Sequence, residues 1–194
     1  MGYQSPTQRV YLNFIRSPLI EPLTLRIKSK HITHSKKQKP HFMGFNIVLF
    51  EPEIPMNTGN IGRLSLGSGS KLHLVKPFGF ELDDKRVKRA GLDYWKHITL
   101  FIYESIDEFY SKNKGGNFAY FSSHGTQDYC AIDYKDDMFL IFGKESSGLP
   151  ENIVTKNADS VYNIPIYSPH IRSLNLANAV SIVVYEGIRN LKSQ

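Results

Sequence analysis

Residues 138–150 read Met-Phe-Leu-Ile-Phe-Gly-Lys-Glu-Ser-Ser-Gly-Leu-Pro. The run Met138–Phe142 is apolar throughout, with no alternation. A strand with one solvated face would alternate, so this run predicts a strand covered on both sides, as in a parallel sheet flanked by helices. A glycine directly after such a strand, Gly143, permits close approach by backbone or ligand. Glu145 follows on a tight turn between Gly143 and Gly148. A connecting turn with a solvent-facing carboxylate accounts for the same residues equally well.

Working outward, the chain alternates strand and helix signals from residue 45 onward. Phe45–Phe50 is a second apolar run of strand length, and Lys71–Val75 alternates like a strand. Ile98–Tyr103, Phe118–Ser122 and Val161–Ile166 complete the expected strands. Helices are expected from Asn57 or Thr58 to about Gly67, over Asp83–Ala90, over Ile106–Lys112 and over Asn175–Leu191. The last carries Leu176, Ala179, Val180, Val183, Val184 and Ile188 at helical spacing. Strands separated by helices imply crossovers, hence an α/β fold with a mostly parallel sheet.

A chain of 194 residues, 41% hydrophobic and 22% charged, suits one globular domain plus an appendage. The net charge of +6 is unevenly placed. Residues 1–42 hold eight Lys or Arg against the single acid Glu21, so the body from Met43 to Gln194 is close to neutral. Pro6, Pro18, Pro22 and Pro40 break this basic segment, which shows no sustained periodicity. Three readings stay open for it: a disordered tail with Met43 as an alternative start, a basic arm for RNA phosphates, or an organelle-targeting segment. Cys130 is the only cysteine, which excludes an internal disulfide and fits a reducing, cytoplasmic setting with a buried, inert thiol. No apolar run approaches the ~20 residues of a membrane span. The histidines lack metal-ligand spacing, so no metal is expected. Gly67-Ser68-Gly69 precedes a strand rather than a helix, which argues against a dinucleotide-binding oxidoreductase.

Ligands of open α/β sheets collect beyond the carboxyl ends of strands. Two further segments lie there. Pro52-Glu53-Ile54-Pro55-Met56-Asn57-Thr58-Gly59-Asn60-Ile61-Gly62-Arg63 follows the first strand. Asn57 or Thr58 is a candidate helix cap, and Arg63 falls one to two turns further on. A loop, a cap and a surface arginine would read the same. Ser168-Pro169-His170-Ile171-Arg172-Ser173-Leu174-Asn175-Leu176-Ala177-Asn178 leads into the final helix, with Ser173 or Asn175 as its cap. That helix start favours an anionic group, although a cap and a polar stripe suffice to explain it. A basic run, Lys85, Arg86, Lys88 and Arg89, suits either RNA contact or a solvated helix face.

Together and in this order, the segments resemble the TrmL (YibK) family of SPOUT-class tRNA 2′-O-methyltransferases. The likeness spans residues 45–191. It rests on Pro-Glu-Ile-Pro-x-Asn-Thr-Gly-Asn-Ile-x-Arg at 52–63, Asp-Asp-Lys-Arg at 83–86, and Arg-Ala-Gly-Leu-Asp-Tyr at 89–94. It also rests on Phe-Gly-x-Glu at 142–145, Gly-Leu-Pro at 148–150, Arg-Ser-x-Asn-Leu-x-Asn-Ala-Val at 172–180, and Val-Tyr-Glu at 184–186. The resemblance implies an α/β-knot fold with a trefoil knot over roughly 120–185, and S-adenosylmethionine (S-adenosyl-L-methionine) as cofactor. It implies methylation of the ribose at the wobble nucleotide, position 34, a cytidine or modified uridine of leucine tRNAs. It also implies a homodimer, with the final helix in the interface.

By position, Phe121, Gly143, Ile164 and Ser173 match the family's cofactor contacts, with Leu174 beside them. Glu145, Ser173 and Asn175 would order that pocket. Arg63 matches the catalytic position, as a base or as a phosphate-holding group, with Asn57 holding it or its loop in place. Tyr185 would meet substrate or dimer mate, and the 85–89 run would meet RNA. Two departures stand out. One extra residue between Ile164 and Ser173 leaves Ile166 eligible in place of Ile164, and Lys144 stands where the family has proline. A SPOUT enzyme acting on another RNA site and a non-catalytic RNA-binding protein of the same fold are the competing readings.

Overall fold

The computed structural model describes residues 44–81 and 94–193. The strands are β1 (Asn46–Phe50), β2 (Lys71–Val75), β3 (Leu100–Tyr103), β4 (Phe118–Phe121), β5 (Gln127–Asp128), β6 (Phe139–Phe142) and β7 (Val161–Asn163). They form one sheet in the order β3-β2-β1-β6-β4-β7-β5, and every described pair is parallel. The helices are α1 (Pro55–Ser68), α2 (Ile106–Lys112), α3 (Glu151–Lys156) and α4 (Leu176–Lys192). None is long and apolar enough to cross a membrane. The expected helix at 83–90 and the basic run at 85–89 lie outside the described residues.

β1 and β6 sit at the centre, aligned from Asn46 opposite Phe139 to Leu49 opposite Phe142. Their alternate residues feed two apolar layers. Ile47, Leu49, Leu140 and Phe142 face Ile61 of α1 and Val180, Val183 and Val184 of α4. Val48, Phe50 and Ile141 face Phe109 of α2 and Ile153 of α3. Each such side chain contributes roughly 1.5–3 kcal/mol by leaving water. All four residues of β6 are buried, as its unbroken apolar run predicts. Lys71–Val75 departs from its alternating reading: Leu72 to Val75 are all buried, because β2 lies inside the sheet between β1 and β3.

Three other expectations change. α1 begins two residues early, with Ile54 in the cap position and Pro55 as the first helical residue. Proline suits that position because no helical hydrogen bond needs its missing N–H. Asn57 and Thr58 therefore sit inside the first turn rather than capping it. The strand expected over Val161–Ile166 ends at Asn163, two residues before Pro165. Cys130 is exposed, in a short turn at Tyr129–Ala131, and not a core thiol. Asn175 caps α4 as expected, its Oδ1 accepting from Ala177 N at 2.9 Å and Asn178 N at 3.4 Å.

Several polar side chains are buried among the described residues, and His73 and Asn46 form a pair inside the sheet. His73 of β2 is buried, flanked by Phe101 at 4.7 Å and Tyr103 at 5.8 Å between ring centroids. Its Nε2 lies 3.0 Å from Asn46 Oδ1, and its Nδ1 lies 2.9 Å from the Tyr103 hydroxyl. Asn46 Nδ2 donates to two oxygens of Asp137, so Asn46 Oδ1 must accept. Nε2 therefore carries the proton, and Nδ1 accepts from Tyr103. Burial, reinforced by the nearby Lys71 ammonium, lowers the His73 pKa from 6.5 to about 4, against a smaller opposing pull from Asp137. Between those values the unfolded chain binds a proton that the folded protein refuses, so stability declines as pH falls through this window. The expected loss is about 3 kcal/mol. Urea unfolding across pH 4–7 measures it, and the part due to this residue disappears from the slope in His73→Phe.

Candidate active site

The carboxyl ends of β4, β6 and β7 lie side by side. Phe121 pairs with Phe142 on one side and with Tyr162 on the other. Gly143 thus follows at the same level as the end of β4, and Ile164 two residues beyond Tyr162. The Phe121 and Phe142 rings stack at 4.6 Å, giving this edge an apolar floor. From Gly143 the chain turns back on itself. Gly148, at φ 72°, donates its N–H to Lys144 O at 2.9 Å. A Cβ on Gly143 would lie 2.1 Å from the Gly148 carbonyl carbon and 2.2 Å from Leu149 N. Those are backbone atoms that cannot swing aside, so only glycine closes this loop.

Glu145 leaves that loop and reaches the start of α1. Its Oε2 accepts from Glu53 N at 2.8 Å, while Oε1 accepts from Ile54 N at 3.3 Å and from Asn57 Nδ2 at 2.9 Å. The carboxylate thus gathers the two backbone N–H groups that lead into α1 and the Asn57 amide in its first turn, at the positive end of a helix with no side-chain cap. With its nitrogen committed, Asn57 turns Oδ1 to Asn175, whose Nδ2 donates at 3.0 Å. Asn175 Oδ1 is then left for the start of α4. A single chain of hydrogen bonds joins the three segments singled out in the sequence: 52–63, 142–150 and 172–180. Asn57 is itself buried.

Residues to which the sequence reading gives no role brace the same loops. Glu53 accepts from Ser146 N and Ser146 Oγ, both at 2.9 Å. Lys144 pairs with Glu51 at 2.9 Å across partly buried surface. The acids flanking Pro52, directly after a buried strand, were the available signal. Thr58 Oγ1 is buried without a hydrogen-bond partner among the described residues.

Other predicted residues stand apart from this chain. Arg63 is exposed on α1, its guanidinium 5.4 Å from the centre of the Tyr94 ring. The Tyr94 hydroxyl in turn donates to Gly59 O at 3.0 Å. Ser173 is exposed and Leu174 half-buried before α4, and Ile164 and Ile166 are both half-buried. Of these two, Ile164 packs against the core. Tyr185 is 55% exposed in the middle of α4. Lys85, Arg86, Lys88 and Arg89 lie outside the described residues.

Residues 44–185 match the family described as SpoU rRNA Methylase family. The tRNA (cytidine(34)-2′-O)-methyltransferase of Escherichia coli K12 is 44% identical over 147 residues, covering 75% of this chain and 93% of that protein. The protein of the same name from Saccharophagus degradans is 45% identical over 148 residues, covering 76% and 96%. A solved structure concerned with 2-OH methylation of C/U34 on tRNA is 38% identical with a TM-score of 0.74, covering 78% of this chain and 99% of that one. An AdoMet-bound rRNA methyltransferase from Sinorhizobium meliloti is 26% identical with a TM-score of 0.67, covering 78% and 58%.

The relay and the helix cap can be separated by substitution. In Asn175→Asp the cap survives, but a carboxylate oxygen then faces Asn57 Oδ1 and one acceptor goes unpaired. Urea unfolding is expected to show a cost of about 1 kcal/mol, rising to roughly twice that in Asn175→Ala, which loses the cap as well. Equal stability of Asn175→Asp and wild type would mean that the relay contributes nothing.

Proposed function

The chain belongs to the SpoU methylase family, and from that premise we propose that it transfers a methyl group from S-adenosylmethionine to the ribose 2′-hydroxyl of nucleotide 34 in leucine tRNAs, in the cytoplasm. The observation that carries the reading is the Glu145–Asn57–Asn175 chain at the carboxyl ends of β4 and β6, which ties the family's segments together. The family description names rRNA, so methylation of another RNA is the rival. Relatives named for cytidine 34, matched over nearly their whole length, favour tRNA.

The residues present fit the cofactor. Phe121, Ile164 and Leu174 would offer apolar contacts to a flat heterocycle, and the glycine-bounded turn from Gly143 to Gly148 would let its backbone come close. Glu145, Ser173 and Asn175 would hold the surrounding loops in order. When bound, S-adenosylmethionine supplies an electrophilic methyl on a sulfonium whose leaving thioether is neutral, so no metal is needed. The protein must place the 2′-hydroxyl in line and help its proton away. Arg63 is assigned to the placing, and the proton passes to an RNA phosphate that it holds or to solvent. A guanidinium is a poor base, so its simplest role is to hold a phosphate and steer the hydroxyl.

Arg63 stands eight residues after Pro55, roughly 12 Å along the helix axis from the Glu145 end of α1. That distance favours a homodimer in which Arg63 serves the partner's pocket. Ile54 and Met56 of the α1 start and Ile182 and Tyr185 of α4 are exposed apolar residues on two helices that pack together, and they supply a face for it. The trefoil knot over 120–185 belongs to the same proposal, as does contact of Lys85, Arg86, Lys88 and Arg89 with RNA.

Transfer from labelled S-adenosylmethionine to leucine tRNA, with nucleotide mapping, tests the reading. Label at position 34 is expected, and Arg63→Ala should lower kcat by roughly 100-fold or more while cofactor binding persists. Label confined to other RNA sites would sink the substrate claim. An Arg63→Ala enzyme as fast as wild type would remove Arg63 from the mechanism.

A further inference from the structure

Beyond β2 the chain runs Lys76-Pro77-Phe78-Gly79-Phe80-Glu81. The Phe78 and Phe80 rings stack with centroids 5.8 Å apart and planes 16° from parallel. Phe78 packs inward against the core, whereas Phe80 is not part of either apolar layer. Together with Ile102, itself 43% exposed on the edge strand β3, they line an open depression of about 740 Å3. Both rings are partly buried, so each keeps some ring surface open to the depression.

The depression adjoins the candidate active site. Gly79 donates its N–H to Pro52 O at 2.9 Å. A Cβ on Gly79 would lie 2.7 Å from the Glu53 Cα, so the aromatic turn rests backbone to backbone on the loop that Glu145 holds. The rim is polar and of mixed sign: Lys76 pairs with Glu104 at 2.8 Å, and Glu81 lies beside them. Carboxylates there disfavour a phosphate. They can accept hydrogen bonds from exocyclic amino groups, and the flat apolar floor suits a π-face. The basic run Lys85, Arg86, Lys88 and Arg89 follows Phe80 within a few residues of sequence, so charge for a backbone is close along the chain.

We propose that Phe78 and Phe80 form a stacking shelf for an unpaired nucleobase of the RNA substrate, next to the nucleotide whose ribose is modified. The inference rests on the RNA-methylating reading above and adds to it a residue that determines how the RNA is held. Unpaired bases are the parts of RNA that aromatic side chains can stack on.

The test is steady-state methylation of leucine tRNA by the full-length protein carrying Phe80→Ala, Phe80→Leu or Phe80→Trp. Losing one base stack raises the KM for RNA by roughly 5- to 150-fold in Phe80→Ala. Phe80→Leu, which keeps apolar bulk but has no π-face, should resemble Phe80→Ala, and Phe80→Trp should resemble wild type. The loss should fall in KM for RNA rather than in kcat or in cofactor affinity. An unchanged KM in Phe80→Ala, or full rescue by leucine, would overturn the shelf while leaving the methyltransferase reading intact. So would a loss confined to cofactor affinity, or a shift in sedimentation that marks Phe80 as a contact between copies of the chain. Failure of the wild-type protein to methylate any RNA would overturn the underlying reading, and the shelf with it.

Discussion

A carboxylate can accept hydrogen bonds but not donate them, and that asymmetry organises the candidate site. All three partners of Glu145 are N–H groups, so Asn57 must present its nitrogen to Glu145 and its oxygen to Asn175. Asn175 is then oriented with its oxygen toward the first N–H groups of α4. One charged side chain thereby fixes two amides and the starts of two helices. The arrangement is directional, so no member can be turned over without leaving a buried group unpaired. The sheet supplies the frame: β6 lies beside β1, which brings the loop after Gly143 within reach of the loop after Phe50.

Much of this was legible in the sequence where burial imposes a pattern. The unbroken run Met138–Phe142 announced a strand covered on both faces, and the stripe of Val180, Val183 and Val184 announced the helix that covers it. The cap of the last helix was legible as Ser173 or Asn175, and Asn175 fills it. Three segments near strand ends pointed to the site, and they are the ones that hydrogen bonds join. β2 misled because alternation in sequence, Leu72 and Leu74 around His73, does not reveal that the intervening position is also covered. Only knowledge of the neighbouring strands shows that a histidine there is buried and must stay neutral.

What stayed hidden is what depends on partners distant in sequence. The backbone leading into α1 is held by Glu145, some ninety residues away, whereas the local reading offers Asn57 or Thr58 as a cap. The pairing of Glu53 with Ser146 and of Glu51 with Lys144 spans a similar gap. The single cysteine shows the opposite failure. Cys130, single and without a partner cysteine, reads as a core thiol, yet it lies exposed in a short turn.

The long reach of these contacts also bears on how the protein is made. Asn57 and Asn175 are 118 positions apart, and Asn57 and Glu145 are 88 apart. Closing such loops costs entropy that short-range contacts do not, so a topology of this kind assembles late and slowly. During synthesis on a ribosome, β1 and β2 emerge long before β6 can take its place beside β1. The bond between Asn57 and Asn175 cannot form in a growing chain until Asn175 has left the exit tunnel. The hydrogen-bond chain that joins the loop before α1 to the start of α4 is therefore among the later contacts to form.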